Sequence, residues 1–323
     1  MLTWPTFATL KQAMPNCEIH ALVAPYTADM ARLCPHIDNV VLDPGEKGGR
    51  AAFTCDIRAQ RYDAAITLFS TTRIGLALML AGIPYRLAPA TKIAQLFYHK
   101  RLKQRRSRSE KPEWAYNQDL ALRFLFDRGI DAPPTTPPPP FLHFEQKTLA
   151  DVKQAFCNKH DIDVDTRLVF IHPGSGGSAN NLSLEQYARL GRSLTAHNPF
   201  HIVVSAGPGE FDYAEQLGTL LGDTAHTIYR STEGLGKFSQ HIAAAHLFIS
   251  GSTGPLHIAG ALDCRTAAFY PRRRSATALR WQTINQQERR LAFSPPESVT
   301  AEDMSGINVI NVAKQISETF LLV

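Results

Sequence analysis

The sequence predicts an α/β protein of two lobes, each built on a parallel sheet with helices on both faces. Strand-like and helix-like segments alternate along most of the chain, which is the pattern of parallel sheets. Residues 132–140 contain six prolines in nine positions, which can continue neither a helix nor a central strand. A length of 323 residues suits two domains. We therefore expect an N-terminal lobe at 1–140 and a C-terminal lobe at 141–323, joined by a stiff connector.

In the N-terminal lobe, short apolar runs predict buried strands and longer amphipathic segments predict helices. The predicted helices are 5–14, 27–33, 51–60 and 73–81. The predicted strands are 18–23, 40–42 and 64–69. The first recognisable element is a helix, whereas lobes of this class begin with a strand, so we expect a first strand and its loop upstream of Met1.

The same alternation returns in the C-terminal lobe. The predicted helices are 149–160, 183–197, 210–221, 235–245 and one from Pro255, which suits a first helical position. The predicted strands are 168–172, 201–205, 227–229, 247–249 and 266–270. Ser183 and Gln186 have the spacing of a capping box at a helix N-terminus.

Residues 250–262, SGSTGPLHIAGAL, are the most informative segment of the chain. A buried strand, a turn of small residues and a helix N-terminus follow one another, which is the geometry that binds phosphate. His257 falls in the first helical turn, where a phosphate or sugar partner is expected. The alternative is a tight turn between buried elements.

Composition limits the class of protein. The hydrophobic fraction is 44% and the charged fraction 20%, as in ordinary soluble proteins, and no apolar run approaches a membrane span. The five cysteines are scattered without a CxxC pair, which favours a reduced cytosolic protein and no cysteine metal site. The net charge of +5 favours an anionic partner. Residues 161–165, DIDVD, resemble a metal-binding DxD but precede a strand, so we interpret them as a solvated turn.

Three segments resemble the heptosyltransferase family of lipopolysaccharide core assembly, within the GT-B glycosyltransferases. They are 252–262 with 267–271, the glycine-rich loop 172–179, and 2–11. The resemblance implies the GT-B architecture, in which two Rossmann-like lobes have parallel sheets facing a central cleft. It also implies an inverting transfer of a heptose-type sugar from a nucleotide-diphosphate sugar, ADP-linked, to a lipopolysaccharide-core or related glycolipid, with no metal or other cofactor.

The resemblance further implies which residues bind the donor. Thr253, Gly254 and His257 would contact the diphosphate, and Ser175 and Gly176 would line the same pocket from the loop that follows the first strand of the C-terminal lobe. The full predicted donor set is Ser175, Gly176, Asn180, Glu210, Ser252, Thr253, Gly254 and His257. Glu210 matches an acidic family position at the donor ribose; the alternative is a favourable charge in the first turn of a helix.

The chain departs from the family pattern in three places. Asn180 and Asn181 stand where the family usually has a lysine that neutralises donor phosphates. Ser252 stands where many relatives have an aspartate, and both changes leave other nucleotide sugars open. The family's Gly-Asp pair, which supplies the likely catalytic base just before the segment that matches Leu2, is not in the sequence. The catalytic residue is therefore unassigned, and a truncated sequence, a start placed at an internal methionine and an impaired enzyme remain open.

Basic and hydroxylic residues of the N-terminal lobe are the candidates for acceptor binding. They are Thr71, Thr72, Arg73, Arg101 and Arg105. Arg73 follows a predicted strand, and its alternative is an ordinary residue at a helix start. The run 99–108 carries six Lys or Arg residues, which indicates either a solvated face or a contact with an acidic lipid acceptor and the membrane surface.

Trp114 and Tyr116 are candidates for an interfacial or stacking contact beside this run. Nucleic acid is a rival partner for the run, but the sequence shows no nucleic-acid-binding fold to match it. We expect a cytoplasmic enzyme peripheral to the inner membrane. Its rivals are a nucleotide-sugar epimerase of the same architecture and a relative that binds a nucleotide sugar or glycan without catalysis.

Overall fold

The computed structural model describes residues 1–46, 48–91, 93–177, 180–196 and 199–321. The chain divides into two compact units, one of Leu2–Pro137 and one of Pro138–Val323 together with Met1. The division falls inside the proline-rich segment. Among the described residues, no helix is both long enough and apolar enough to cross a membrane.

The N-terminal unit contains five α-helices and five strands within the residues described. Its helices are α1 (Trp4–Ala13), α2 (Ala28–Arg32), α3 (Arg50–Ala59), α4 (Thr72–Leu80) and α5 (Glu113–Asp127). Its strands are β1 (His20–Val23), β2 (Asn39–Leu42), β3 (Ala64–Ile66), β4 (Tyr85–Pro89) and β5 (Lys100–Leu102). The strands form a parallel pair, β1-β2, and a parallel three-stranded sheet, β3-β4-β5.

The three-stranded sheet is covered on both faces, as expected for parallel strands. On one face, Ala65 and Ala88 contact a cluster formed by α3 and α4. On the other, Tyr85 and Leu87 pack against α1 and α5. Alternate residues of β3 and β4 therefore belong to opposite apolar clusters.

The C-terminal unit is a doubly wound α/β domain. Its helices are α6 (Gln146–Lys159), α7 (Leu184–Thr195), α8 (Phe211–Leu221), α9 (Gly234–Ala243), α10 (Gly254–Ala261), α11 (Ala278–Trp281) and α12 (Val309–Ile316). Its strands are β6 (Arg167–His172), β7 (Phe200–Ala206), β8 (His226–Arg230), β9 (Leu247–Gly251), β10 (Thr266–Phe269) and β11 (Arg290–Phe293). All six strands are parallel, in the order β11-β10-β9-β6-β7-β8. The order reverses between β9 and β6, and the carboxyl edge at such a switch point is where ligands bind.

Most of the elements predicted from the sequence are confirmed, with boundaries shifted by a few residues. The capping box is present: the Ser183 hydroxyl accepts from the Gln186 amide at 3.2 Å, and the Gln186 side chain accepts from the Ser183 amide at 3.0 Å. The predicted strand 64–69 ends at Ile66, and the predicted helix 27–33 begins as a 3₁₀ turn at Pro25–Thr27. His197, the predicted end of α7, lies outside the described residues.

Candidate functional site

Three loops lie side by side at the carboxyl edge of the C-terminal sheet. His172 at the end of β6 is in register with Ser250 of β9, and Ile171 is in register with Val204 of β7. The loops that follow these strands, 173–177, 207–210 and 252–254, are therefore neighbours. They include six of the eight residues predicted to bind the donor, which are Ser175, Gly176, Glu210, Ser252, Thr253 and Gly254.

Helix α10 starts directly after the loop that follows β9. Thr253 is its N-cap with an extended backbone, and the Thr253 hydroxyl lies 3.0 Å from the Ser250 hydroxyl instead of capping the helix. Pro255 has no N–H, so Gly254 and Leu256 carry the first-turn amides whose intrahelical partners are missing by geometry. The helix starts one residue before the predicted position. Its N-terminus presents amides and the positive end of the dipole to the switch point.

His257 lies one turn into α10. Its ring atom Nδ1 is buried and has no hydrogen-bond partner. Burial lowers the pKa of His257 to about 3, so the imidazole is neutral at neutral pH. A neutral ring offers one donor and one acceptor but no positive charge. Buried polar atoms are rarely left unpaired, so this nitrogen is a candidate to take its partner from a ligand.

The loop after β6 is rich in glycine because of its backbone conformation and a close contact. Gly176 and Gly177 have φ of 53° and 73°, which favours glycine. Gly174 has no such angle, but a Cβ there would lie 2.3 Å from the carboxyl carbon of Glu210. The loop backbone therefore lies so close to Glu210 that position 174 has no room for a Cβ atom. Ser175, half-buried, lies between these glycines.

The carboxylate of Glu210 joins two of the three loops. Its Oε1 accepts from the Gly176 amide at 2.9 Å, and its Oε2 accepts from the Gly207 amide at 3.4 Å. Glu210 is the N-cap residue of α8 but makes no side-chain capping bond. The structure thus gives this side chain a bracing contact that the sequence did not predict, and its role at a ribose stays a prediction.

His172, which was not among the predicted site residues, contacts the Glu210 carboxylate from the end of β6. Its Nε2 lies 3.5 Å from Glu210 Oε2, and its Nδ1 lies 3.2 Å from the Ser205 hydroxyl. Burial lowers the pKa of His172 and outweighs the opposite effect of the Glu210 carboxylate. The only sequence signal was a polar residue at the end of an otherwise apolar strand.

Asn180 and Asn181, which stand where the family resemblance implies a lysine, have different surroundings. Asn180 is half-buried and its amide donates to the Glu302 carbonyl at 3.2 Å. Asn181 donates to the Pro173 carbonyl at 2.7 Å and packs on Gly251, where a Cβ would lie 2.6 Å from its Oδ1. Asn181 therefore ties the loop after β6 to the end of β9. Ser178 and Ala179, which belong to the same predicted motif, lie outside the described residues.

The residues near α4 that were predicted to bind the glycolipid acceptor have partners within their own unit. Thr71 is the N-cap of α4, and its hydroxyl accepts from the Ile74 amide at 3.3 Å. Thr72 begins the helix. Arg73 forms a half-buried ion pair with Asp43 at 2.5 Å. Burial opposes ionisation of Asp43, but hydrogen bonds from Arg73 and a backbone amide lower its pKa overall. The ion pair with Asp43 thus occupies part of the hydrogen-bonding capacity of the Arg73 guanidinium within this unit.

The basic run differs from its neighbouring aromatics in exposure. Arg101 and Arg105 are exposed. Tyr116 is only 3% exposed, and the Arg106 guanidinium lies 5.7 Å from its ring centre. The indole nitrogen of Trp114 is also buried. Tyr116 therefore packs inside the unit at the start of α5, which contradicts an interfacial contact for this ring, whereas Trp114 is half-buried and its contact stays a prediction.

The predicted turn at 161–165 is confirmed. Asp161 has φ of 55°, and the Asp165 amide donates to the Asp163 carboxylate at 2.9 Å. The turn precedes β6, at the amino edge of the sheet. It lies at the end of the sheet opposite to the three loops.

The protein has two parallel α/β units, and a helix N-terminus lies at the switch point of the second. Solved structures have the same architecture. The structure of Escherichia coli ADP-heptose lipopolysaccharide heptosyltransferase II aligns with a TM-score of 0.78 at 16% identity, covering 99% of this chain and 94% of that one. An Escherichia coli heptosyltransferase solved with ADP aligns with a TM-score of 0.73 at 18% identity, covering 98% and 95%. The fold is therefore the GT-B fold of glycosyltransferases.

The sequence places the chain more narrowly. Residues 50–298 match glycosyltransferase family 9 (heptosyltransferase). A putative glycosyltransferase of Haemophilus influenzae is 41% identical over 326 residues, which cover 100% of this chain and 93% of that protein. The chain belongs to glycosyltransferase family 9 and is a transferase of the heptosyltransferase type.

Proposed function

We propose that the protein transfers a heptose-type sugar, with inversion, from an ADP-linked sugar to a lipopolysaccharide-core or related anionic glycolipid. The observation that carries the proposal is the start of α10, where the buried, unpartnered Nδ1 of His257 lies one turn behind the helix N-terminus. The choice of ADP is supported by the similar heptosyltransferases, one of which was solved with ADP and another of which carries ADP-heptose in its name.

The donor diphosphate would lie at the N-terminus of α10. The amides of the first turn donate to its oxygens, and the helix dipole favours the charge that develops as the bond to the sugar breaks. Ser252, Thr253 and Gly254 form this turn. Because His257 is neutral, it contributes a hydrogen bond and not a counter-charge.

The loop after β6 would close the donor pocket from the other side. Ser175 and Gly176 lie on this loop, which the Glu210 carboxylate holds through the Gly176 amide. Asn180 supplies a neutral amide where the family usually has a lysine. We propose that the leaving diphosphate is stabilised by backbone amides and polar side chains, without a metal ion.

The reaction is a single displacement. A hydroxyl oxygen of the acceptor attacks the anomeric carbon from the face opposite the diphosphate, the new C–O bond forms, and the bond to the diphosphate oxygen breaks. A carboxylate base takes the hydroxyl proton. One displacement inverts the anomeric centre. We assign no residue of this chain as the base.

The acceptor would bind to the N-terminal unit. Thr71, Thr72 and Arg73 lie at the start of α4, and the exposed Arg101 and Arg105 offer guanidinium groups to anionic lipid phosphates. Because such an acceptor resides in a membrane, we propose that the protein is cytoplasmic and binds peripherally to the inner membrane.

The first experiment is calorimetric titration with ADP, UDP and GDP in the presence of a chelator. We expect ADP to bind most tightly and His257→Ala to weaken that binding about tenfold, the loss of roughly one hydrogen bond. His143→Ala, a change at an exposed histidine of the same unit, is the matched control and should bind ADP as the wild type does. Equal affinity of wild type and His257→Ala would remove His257 from the site, and no binding of any nucleotide would refute the donor assignment.

A second experiment separates transfer from binding alone. The protein is incubated with ADP-heptose and a lipopolysaccharide-core acceptor, and the product is measured by mass spectrometry. A mass increase of one heptosyl unit supports the transferase. Tight ADP binding without transfer to any core acceptor would instead favour a relative that binds the nucleotide sugar without catalysis.

A further inference from the structure

Three large apolar side chains of the N-terminal unit are strongly exposed on two loops. Phe69 is 84% exposed, and Ile93 and Leu96 are each 70% exposed. We call these three residues the apolar tip. Single exposed apolar residues are common on protein surfaces, but a group of them on adjoining loops indicates an interaction site.

The two loops of the apolar tip adjoin at one edge of the three-stranded sheet. Phe69 follows β3, and Ile93 and Leu96 lie on the 3₁₀ helix after β4. The hydroxyls of Ser70 and Thr91 are 3.3 Å apart, so the two loops touch beside the tip. Because β3 and β4 are parallel, both loops lie at the carboxyl edge.

The segment of sequence that carries the apolar tip has only basic charged residues, and acidic residues from outside it pair with Arg73, Lys100, Arg106 and Arg108. Residues 64–109 contain neither aspartate nor glutamate. The same span contains nine basic residues, which are Arg73, Arg86, Lys92, Lys100, Arg101, Lys103, Arg105, Arg106 and Arg108. Such segregation of charge over this length favours an anionic surface as the partner.

Some of these cations lie close to the tip. The Ala90 amide, after β4, donates to the Leu102 carbonyl at the end of β5 at 2.8 Å. The chain leaving β5 therefore starts beside the loop that carries Ile93, and it leads to Lys103 and Arg105. Both side chains are exposed, and neither forms an ion pair within the part of the chain that the structure describes.

We propose that the apolar tip inserts into the headgroup region of an anionic bilayer, with Lys103 and Arg105 on the lipid phosphates. Exposed apolar side chains bordered by cations match the boundary between acyl chains and acidic headgroups. A free phosphate satisfies the cations but gives no contact to the apolar tip, and a nucleotide base can stack on Phe69 but leaves the aliphatic Ile93 and Leu96 without a partner, so the combination favours a lipid surface. The choice of a bilayer rests on the proposed membrane acceptor.

Vesicle flotation tests the surface directly. The full chain is mixed with vesicles of phosphatidylglycerol and phosphatidylethanolamine, or of phosphatidylcholine alone, and the bound fraction is measured. We expect binding to the anionic vesicles only. The triple variant Phe69→Ser, Ile93→Ser, Leu96→Ser should lose at least about tenfold in affinity, and Lys103→Glu, which changes a cation outside the proposed acceptor set, should lose about fivefold.

Phe126→Ser is the matched control. Phe126 is 78% exposed, but its neighbour Asp127 accepts from the Tyr85 hydroxyl at 3.0 Å, and Tyr85 begins β4. Phe126 therefore lies toward the amino edge of the sheet, away from the apolar tip. Its replacement should leave vesicle binding unchanged. A charge control, Lys147→Glu, changes an exposed lysine of the other unit and should act likewise.

A second readout places the tip in the bilayer. Tryptophan emission of Phe69→Trp should shift to shorter wavelength on anionic vesicles, and Phe126→Trp should not shift. Calorimetric titration with ADP is run on every variant, so that loss of vesicle binding with normal ADP binding is specific to the surface. If the triple variant floats like the wild type, if the wild type binds ADP but no vesicles, or if the tip variants change only self-association, the proposal is wrong.

Discussion

Removal of the Glu210 side chain should loosen at once the loops that follow β6 and β7. Glu210→Ala deprives the Gly176 amide of an acceptor at 2.9 Å and the Gly207 amide of one at 3.4 Å. A hydrogen bond to a charged group contributes about 1.5–3 kcal/mol, and the Gly176 bond is partly open to water, so we expect a loss of about 2 kcal/mol. For a unit of this size that lowers the melting temperature by roughly 4–8 °C.

Gly174→Ala should reach the same state by a different route. The new methyl would lie 2.3 Å from the Glu210 carboxyl carbon, so the carboxylate must move away and lose its amide partners. Gly174 is not at positive φ, so the backbone itself tolerates alanine. Gly207→Ala is the matched control, because its Cβ would meet Glu210 Oε2 at an ordinary 3.5 Å.

A double-mutant cycle separates this mechanism from two independent effects. Once Glu210 is alanine, the Gly174 methyl has nothing to displace, so the double variant should be destabilised by about 2 kcal/mol and not by about 4, a coupling of about 2 kcal/mol. Thermal and urea unfolding give the stabilities, and calorimetry with ADP shows whether loop position affects the site. Additive destabilisation, or a Glu210→Ala variant as stable as the wild type, would refute the bracing role.

Two further predictions concern the same unit. Gly251→Ala places a Cβ 2.6 Å from Asn181 Oδ1 and should lower the free energy of unfolding in urea by about 1–3 kcal/mol. Gly254→Ala is the control, because its Cβ meets nothing within 4 Å and should be tolerated. Equal stabilities of the two variants would contradict the close contact. Burial lowers the pKa of His201 and of His241 to about 4, below the value of 6.5 in an unfolded chain. Between these two pH values the unfolded state therefore binds more protons than the folded state. The free energy of unfolding should fall as the pH is lowered from about 6.5 to 4. The melting temperature measured from pH 7 to pH 5 should drop by several degrees, and His241→Phe should reduce that drop; a flat profile in the wild type would refute the assignment.

Elements with strong local signals were predictable from the sequence. The start of α10 follows from small residues and Pro255, and the start of α7 follows from Ser183 and Gln186, because caps depend on side chains within one helical turn. The strands of the C-terminal sheet are buried on both faces, so they appear as continuous apolar runs.

Elements that depend on distant partners were not predicted. Strand β4 begins after Pro84 and ends at Pro89, and proline disfavours a central strand, yet β4 is the middle strand of its sheet because both prolines lie at its ends. Helix α5 carries the buried Gln118, which obscures its apolar periodicity. That side chain donates to the hydroxyls of Thr9 and Thr136 at 3.2 and 3.1 Å, and neither partner is near in sequence.

The candidate site shows the same division. The sequence alone determined the two-lobed α/β class, the turn at 252–254 and the helix on which His257 lies, because these follow from local periodicity, capping and backbone conformation. Only the tertiary structure decided that Glu210 braces Gly174 and Gly176, that His172 lies beneath it, and that Phe69 and Leu96 are exposed while Tyr116 is buried. Those contacts join residues far apart in the chain, and burial is a property of the packed molecule that no local pattern contains.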